Sequence, residues 1–211
     1  MVEDSENIGQ LIERVSQKKP DLVEFRLDKL SNSGILEMIA QKKTFPAIAT
    51  DRSNRGPAAT EKLLLEAASA GFEYVDIDLA APFAKTAISQ AKSHGAEVIV
   101  SFHDLSKTPS HSELDRVLNS ERRAGGDVCK IVTTARQPRD NLAILGFLEE
   151  RAAETRLVSF AMGPQGVASR ILSPLFGAEF TFAALTEETR TADGQLSIDS
   201  LRSVWQLLGV Q

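Results

Sequence analysis

Lys130 stands in the middle of an otherwise apolar run, Asp127-Val128-Cys129-Lys130-Ile131-Val132. With the period of two that a strand imposes, its side chain shares a face with Val128 and Val132, where a covered sheet keeps packing side chains. Burying an ammonium is costly unless the group is paired or gives up its proton, and burial pushes a lysine toward its neutral form. A neutral amine near pH 7 is a nucleophile suited to attack on a carbonyl carbon. The competing reading is a lysine that snorkels along the sheet to an acidic partner. This run alone leaves both open.

His103 closes the preceding apolar run, Val98-Ile99-Val100-Ser101-Phe102-His103-Asp104. An imidazole titrates near neutrality and is the commonest general acid or base. Neighbouring strands in a parallel sheet lie about 5 Å apart, so this histidine and Lys130 can serve one substrate atom from adjacent strand ends. His94 and His111 sit in polar, helix-terminal contexts and read as solvated surface residues. The segment Leu22-Val23-Glu24-Phe25-Arg26-Leu27-Asp28 alternates strictly, with Glu24, Arg26 and Asp28 on one face. That pattern fits a half-exposed edge strand. It fits equally a barrel strand whose charged face points inward, where an acid and an arginine reach a polyhydroxylated ligand.

Positioning these groups takes a repeated unit. Short apolar runs recur at Leu22 to Leu27, Ala47 to Thr50, Tyr74 to Leu79, Glu97 to Phe102, Val128 to Val132, Leu157 to Ala161 and Phe180 to Leu185. Each reads as a strand. Helical periodicity follows near Gly34, Thr60, Pro82, Ser110, Pro138 and Ala168, with a closing helix from Ile198 to Leu208 and an opening one from Ile8 to Ser16. Strict βα alternation predicts a parallel sheet covered by helices. Of the two common architectures, the open doubly wound sheet lacks its Gly-x-Gly-x-x-Gly after the first strand. The closed (β/α)8 TIM barrel explains why Glu24, Arg26, Asp51, Arg52, Asp76, Asp78, His103 and Lys130 lie in or just beyond strands, since a barrel gathers strand ends at one mouth. One strand is short of the count. Only Met1-Val2 precedes the first helix, so the first strand is expected to be truncated or vestigial.

The totals fit one globular domain over residues 1–211, expected to be a single (β/α)8 barrel. The 211 residues are 42% hydrophobic and 25% charged, enough for one sizeable core. Net charge is -5 with basic residues scattered, which argues against a nucleic-acid binder and for a small-molecule substrate. One cysteine excludes an internal disulfide framework, and with three scattered histidines it makes a structural zinc site a poor reading. The start, Met1-Val2-Glu3-Asp4-Ser5-Glu6, is acidic without an apolar signal core, and no run is long enough to span a bilayer. A soluble cytoplasmic protein is expected. The chain carries no internal repeat or low-complexity linker.

Taken together, five motifs carry a resemblance: Glu24-Phe25-Arg26-Leu27-Asp28, Ser101-Phe102-His103-Asp104, Asp127-Val128-Cys129-Lys130-Ile131, Met162-Gly163-Pro164-Gln165-Gly166-Val167-Ala168-Ser169-Arg170, and Gly194-Gln195 before the last helix. In this order and spacing the chain resembles a type I 3-dehydroquinate dehydratase of the short, archaeal-like kind. The resemblance covers almost the whole chain. It implies a (β/α)8 barrel, commonly dimeric, that converts 3-dehydroquinate to 3-dehydroshikimate in the shikimate pathway of aromatic amino acid biosynthesis without metal or organic cofactor. It further implies that Lys130 forms an imine with the substrate ketone and that His103 shuttles the proton. Substrate holding would fall to Glu24, Arg26, Arg52, Arg170, Thr191 and Gln195. An arginine fork suits a carboxylate, so the substrate carboxylate is expected at Arg170, with its hydroxyls at Glu24 and Gln195. The polar stretch Thr186 to Gln195 would be a lid that closes over the ligand.

The chain departs from the family pattern in three places. Longer members carry an acid shortly after the arginine matching Arg52, whereas Ser53-Asn54-Arg55-Gly56-Pro57 stands here. The carboxylate that orients His103 is therefore open, with Asp78 one candidate. The other two are the missing first strand and a length below the roughly 250 residues typical of the barrel. The nearest rival is a lysine-imine aldolase acting on a phosphorylated sugar, for which Gly163-Pro164-Gln165-Gly166 is a possible phosphate nest. A barrel reduced to ligand binding is the non-enzymatic rival.

Overall fold

The computed structural model describes residues 5–30 and 34–210. The expected vestige of a first strand at Met1-Val2 lies outside the described residues. Helices and strands alternate in chain order: α1 (Ser5–Gln17), β1 (Val23–Arg26), α2 (Ile35–Lys42), β2 (Ala47–Thr50), α3 (Pro57–Ala70), β3 (Tyr74–Asp78), α4 (Ala84–Ser93), β4 (Glu97–His103), α5 (His111–Ala124), β5 (Val128–Thr134), α6 (Arg139–Arg151), β6 (Leu157–Met162), α7 (Val167–Leu172) and α8 (Ile198–Leu207). The chain divides into two compact units. One holds the residues up to Val100 with Arg123–Asp127; the other holds Ser101–Arg122 and everything from Val128 onward.

In the first unit, β1, β2 and β3 pair in parallel, with Glu24 level with Ile48, Arg26 with Thr50 and Thr50 with Asp76. All of β2 is buried, as expected of a parallel strand covered on both faces. Phe25 stacks on Phe45 at 6.4 Å and meets Phe72 edge-on at 5.9 Å, so the apolar face of the alternating β1 segment packs while its polar face stays half-buried. In α1 the spacing of Ile8, Ile12 and Val15 buries one stripe. Pro57 opens α3 at a position where its missing N–H is no loss.

In the second unit, β5 and β6 pair in parallel, Lys130 level with Val158 and Val132 with Phe160. The odd-numbered face of β5, Cys129 and Ile131, packs with Leu157 and Ala161 against Leu114 and Leu118 of α5 and Ile144, Phe147 and Leu148 of α6. Lys130 therefore points to the face of the sheet opposite these helices. His111 is tied rather than freely solvated: its ring bridges Asp115 at 3.2 Å and Glu150 at 2.9 Å and meets Phe147 edge-on, clamping α5 to α6.

The run Phe180 to Leu185 does not form the seventh strand that its composition predicts. Glu179 donates its N–H to Leu157 O, Thr181 donates its hydroxyl to Arg170 O, and Ala184 makes an isolated parallel bridge with Ser197. The chain is thus drawn off the sheet edge between residues 179 and 184, and six strands form among the described residues.

Candidate active site

In the first unit, polar side chains collect at the C-terminal ends of β1, β2 and β3. Thr50 donates its hydroxyl to Glu24 Oε1 at 2.9 Å, which fixes the Glu24 carboxylate across the β1–β2 pair. Arg26 is spent within its own strand end. The chain leaves β1 into a 3-10 turn over Leu27–Lys29, which swings Asp28 back so that Arg26 grips it with two bonds of 2.8 and 2.9 Å. Burial would raise the Asp28 carboxyl, but the Arg26 fork and the Arg52 N–H hold it below its ordinary value.

Arg52, just past β2, places Nη2 2.6 Å from the fully buried Asp76 carboxylate. Burial pulls the guanidinium down; Asp76, then Asp78 and Glu24, more than offset this and hold it above its ordinary value. Asp51 accepts from Ser53 N and lies 2.9 Å from Arg55 Nε, so the loop after β2 is tied to its own start. A cavity of about 480 Å³ opens here, lined by Asp51, Arg52, Asn54, Thr60, Asp76 and Asp78.

The second unit holds Lys130, His103, Arg170, Thr191 and Gln195. Lys130 is only 5% exposed, and its Nζ lies 4.4 Å from the centroid of the Phe182 ring. Phe182 meets Phe160 edge-on at 6.0 Å, and the Arg170 guanidinium lies 4.2 Å over the Phe160 ring. Two rings, Phe182 and Phe160, thus link the two basic groups to which the resemblance gives the roles of nucleophile and carboxylate holder.

His103 ends β4 beside β5. The next residue, Asp104, donates its N–H to Val132 O at 2.9 Å, which sets the histidine near the strand segment just beyond Lys130. The Asp104 carboxylate is occupied in its own turn, accepting from Ser106 N, Ser106 Oγ and Lys107 N. Burial raises this carboxyl, and the three hydrogen bonds hold it below its usual range. Its role in the Ser101-Phe102-His103-Asp104 motif is to shape the strand end.

Arg170 is 3% exposed, and burial alone pushes its guanidinium down to about 10. Its Nε has no hydrogen-bond partner among the described residues. A buried guanidinium of this kind favours an anionic ligand. The turn that delivers it, Gly163 to Ser169, is braced from several sides. Ser169 Oγ accepts from Ala161 N and donates to Gly166 O. Asn141 of α6 accepts from Ser169 N and donates to Pro138 O and Gln165 O. Gly166 passes so close to β6 that a Cβ there would sit 2.4 Å from Ala161 O.

Gln195, 6% exposed, accepts from both the N–H and the hydroxyl of Thr191 at 2.9 and 3.2 Å. These two predicted residues therefore act as a pair. The loop that carries them is seated on the Arg170 turn. Gly194 adopts φ +76, and a Cβ there would lie 2.5 Å from Gly163 O, so only glycine allows this approach.

Phe182, Phe160 and Asn141 are absent from the sequence-derived set. Two aromatics in an apolar run read as ordinary core, and an asparagine inside a helix gives no signal until its three partners are seen.

Alternating parallel strands and helices, with a buried lysine, a strand-end histidine and polar groups at the strand C-termini, define an α/β protein of the (β/α)8 barrel class. The profile described as Type I 3-dehydroquinase matches residues 1–211. The chain is 34% identical to the 3-dehydroquinate dehydratase of Thermococcus onnurineus and 31% identical to that of Pyrococcus abyssi, in each case over 97% of this chain and 95% of the relative. The crystal structure of 3-dehydroquinate dehydratase from Geobacillus kaustophilus superposes with a TM-score of 0.87 at 27% identity, covering 98% of this chain and 88% of that one. The chain belongs to the type I 3-dehydroquinase family, a family of hydro-lyases. Among the described residues no helix is long and apolar enough to cross a membrane.

Proposed function

We propose that this chain removes water from 3-dehydroquinate to give 3-dehydroshikimate through an imine at Lys130. The observation that carries the reading is the placement of Lys130 Nζ: buried, on the face of the sheet away from the helices, over an aromatic ring. The amine, after giving up a proton, attacks the ketone carbon; the resulting carbinolamine takes a proton back as its hydroxyl departs as water, which leaves a protonated imine. That cationic nitrogen withdraws electrons from the adjacent carbon, so a neutral imidazole can remove its proton. His103 has this role. The enamine then expels the β-hydroxyl, which leaves as water with the proton returned by the imidazolium. Hydrolysis of the imine consumes the water released when it formed and frees Lys130, so the net change is the loss of one water from the substrate.

The buried, incompletely satisfied Arg170 guanidinium takes the substrate carboxylate, and the Gln195 amide takes a hydroxyl with Thr191 behind it. Glu24 takes a further hydroxyl and Arg52 shares in holding the substrate, as the family resemblance implies, while Arg26 acts through Asp28. The loop from Thr186 to Gln195 serves as the lid. In the cell the reading extends to a single-domain cytoplasmic homodimer working in the shikimate pathway.

The test is growth of ultraviolet absorbance from the conjugated enone product when 3-dehydroquinate is added. Wild-type chain should produce it and Lys130→Ala should not, with the two chains melting at similar temperatures. Full activity in Lys130→Ala, or activity only toward a phosphorylated aldol substrate, would overturn the proposal in favour of a different nucleophile or of the aldolase reading.

A further inference from the structure

The Phe182 ring has a use beyond packing. We propose that Phe182 is a positioning residue of the imine chemistry, its ring face holding the Lys130 nitrogen and stabilising that nitrogen whenever it carries positive charge. The inference rests on the assignment of Lys130 as the imine-forming residue.

The geometry is specific. Nζ stands 4.4 Å from the ring centroid, within the range where the negative face of an aromatic quadrupole attracts a cation. The ring cannot drift from that position easily. It is held edge-on by Phe160 at 6.0 Å and by Phe180 at 5.5 Å. Its backbone is fastened on one side by the Thr181 hydroxyl on Arg170 O at 2.8 Å and on the other by Ala184, which donates to Leu196 O and accepts from Ile198 N, both at 2.8 Å. These bonds draw residues 180–183 away from a strand ladder and turn Phe182 toward Lys130.

The charge on nitrogen changes in a defined order through the reaction. It is absent in the attacking amine and in the carbinolamine, positive in the protonated imine, absent in the enamine, and positive again in the imine left when the hydroxyl departs. A ring face next to the nitrogen therefore favours the protonated imine over the carbinolamine that precedes it. The protonated imine is the state from which His103 removes the proton, so the ring raises the population of the reactive species. A leucine of similar bulk would fill the space without this attraction.

The experiment incorporates mono-, di- and trifluorophenylalanine at position 182 of the full chain. Fluorine drains the ring face of electron density with little change in shape. Two quantities are read with 3-dehydroquinate: the rate of borohydride-trapped adduct at Lys130, and kcat and KM separately. Each added fluorine should lower the trapping rate and kcat in step, reaching a fall of roughly ten-fold at the trifluoro ring, while KM and the melting temperature stay close to wild type. Phe182→Trp should retain most of the trapping rate. A series that is flat in fluorine number, with trapping at Lys130 intact, would overturn this inference and leave the imine assignment standing. Failure of the unmodified chain to give any Lys130 adduct would remove the imine assignment, and this inference with it.

Discussion

Replacing Arg170 by methionine sets the stability of the fold against its grip on the substrate. Burial takes the guanidinium from its ordinary value down to about 10. With one pKa unit equal to about 1.4 kcal/mol, keeping this charge inside costs the folded state about 3 kcal/mol. The Phe160 ring beneath the guanidinium returns about 1–2 kcal/mol of that. By linkage, a base whose folded pKa is depressed burdens the fold fully below about 10, and the burden fades only as the pH climbs through that value toward the ordinary guanidinium range. At pH 7.5 it is wholly present. Methionine keeps the length and apolar stem, so Arg170→Met should unfold in urea with a free energy about 1–2 kcal/mol above wild type. On the proposed assignment, the same change removes a two-bond fork to the substrate carboxylate. Charged hydrogen bonds contribute about 1.5–3 kcal/mol each, so losing two of them should raise KM for 3-dehydroquinate by roughly 100-fold or more. Product-induced thermal stabilisation should vanish with it. Destabilisation of Arg170→Met by more than about 1 kcal/mol together with an unchanged KM would refute both the burial penalty and the carboxylate assignment.

Other outcomes follow from the same geometry. Asn141→Ala leaves Ser169 N, Gln165 O and Pro138 O without their buried partner, so urea denaturation should report a loss of about 2–4 kcal/mol, with KM rising more than kcat falls because the Arg170 turn loosens. His103→Ala should still form the protonated imine but stall at proton removal, so that mass spectrometry of the borohydride-quenched reaction finds more adduct while enone formation is nearly lost; normal turnover would remove His103 from the mechanism. Burial, aided by Glu121, pushes the Cys129 thiol up to about 12, so at pH 8 it should resist iodoacetamide in the folded chain and react once urea unfolds it.

Much of this site could be read from residue order because barrels place function at strand ends. The period-two placement of Lys130 with Val128 and Val132 put the amine opposite the helix-facing side chains Cys129 and Ile131, as found. His103 at the close of its strand was readable for the same reason. Partnerships were less legible. The alternation at Glu24, Arg26 and Asp28 shows a shared face, but not that a 3-10 turn brings Asp28 back to occupy Arg26. The run Phe180 to Leu185 has strand composition, yet hydrogen bonds from Thr181 and Ala184 to residues outside the sheet decide its path. Local propensity is silent on such long-range bonds. Asn141 is the extreme case. Its three partners come from the start of its own helix and from the turn after β6.

The central claim, a lysine nitrogen that captures the substrate ketone, is tested most directly by sodium borohydride reduction in the presence of 3-dehydroquinate followed by peptide mapping. A single substrate-derived mass on the peptide containing Lys130, absent without substrate and absent from Lys130→Ala, is the predicted result. An adduct on another lysine, or rapid turnover with no adduct at all, would contradict it.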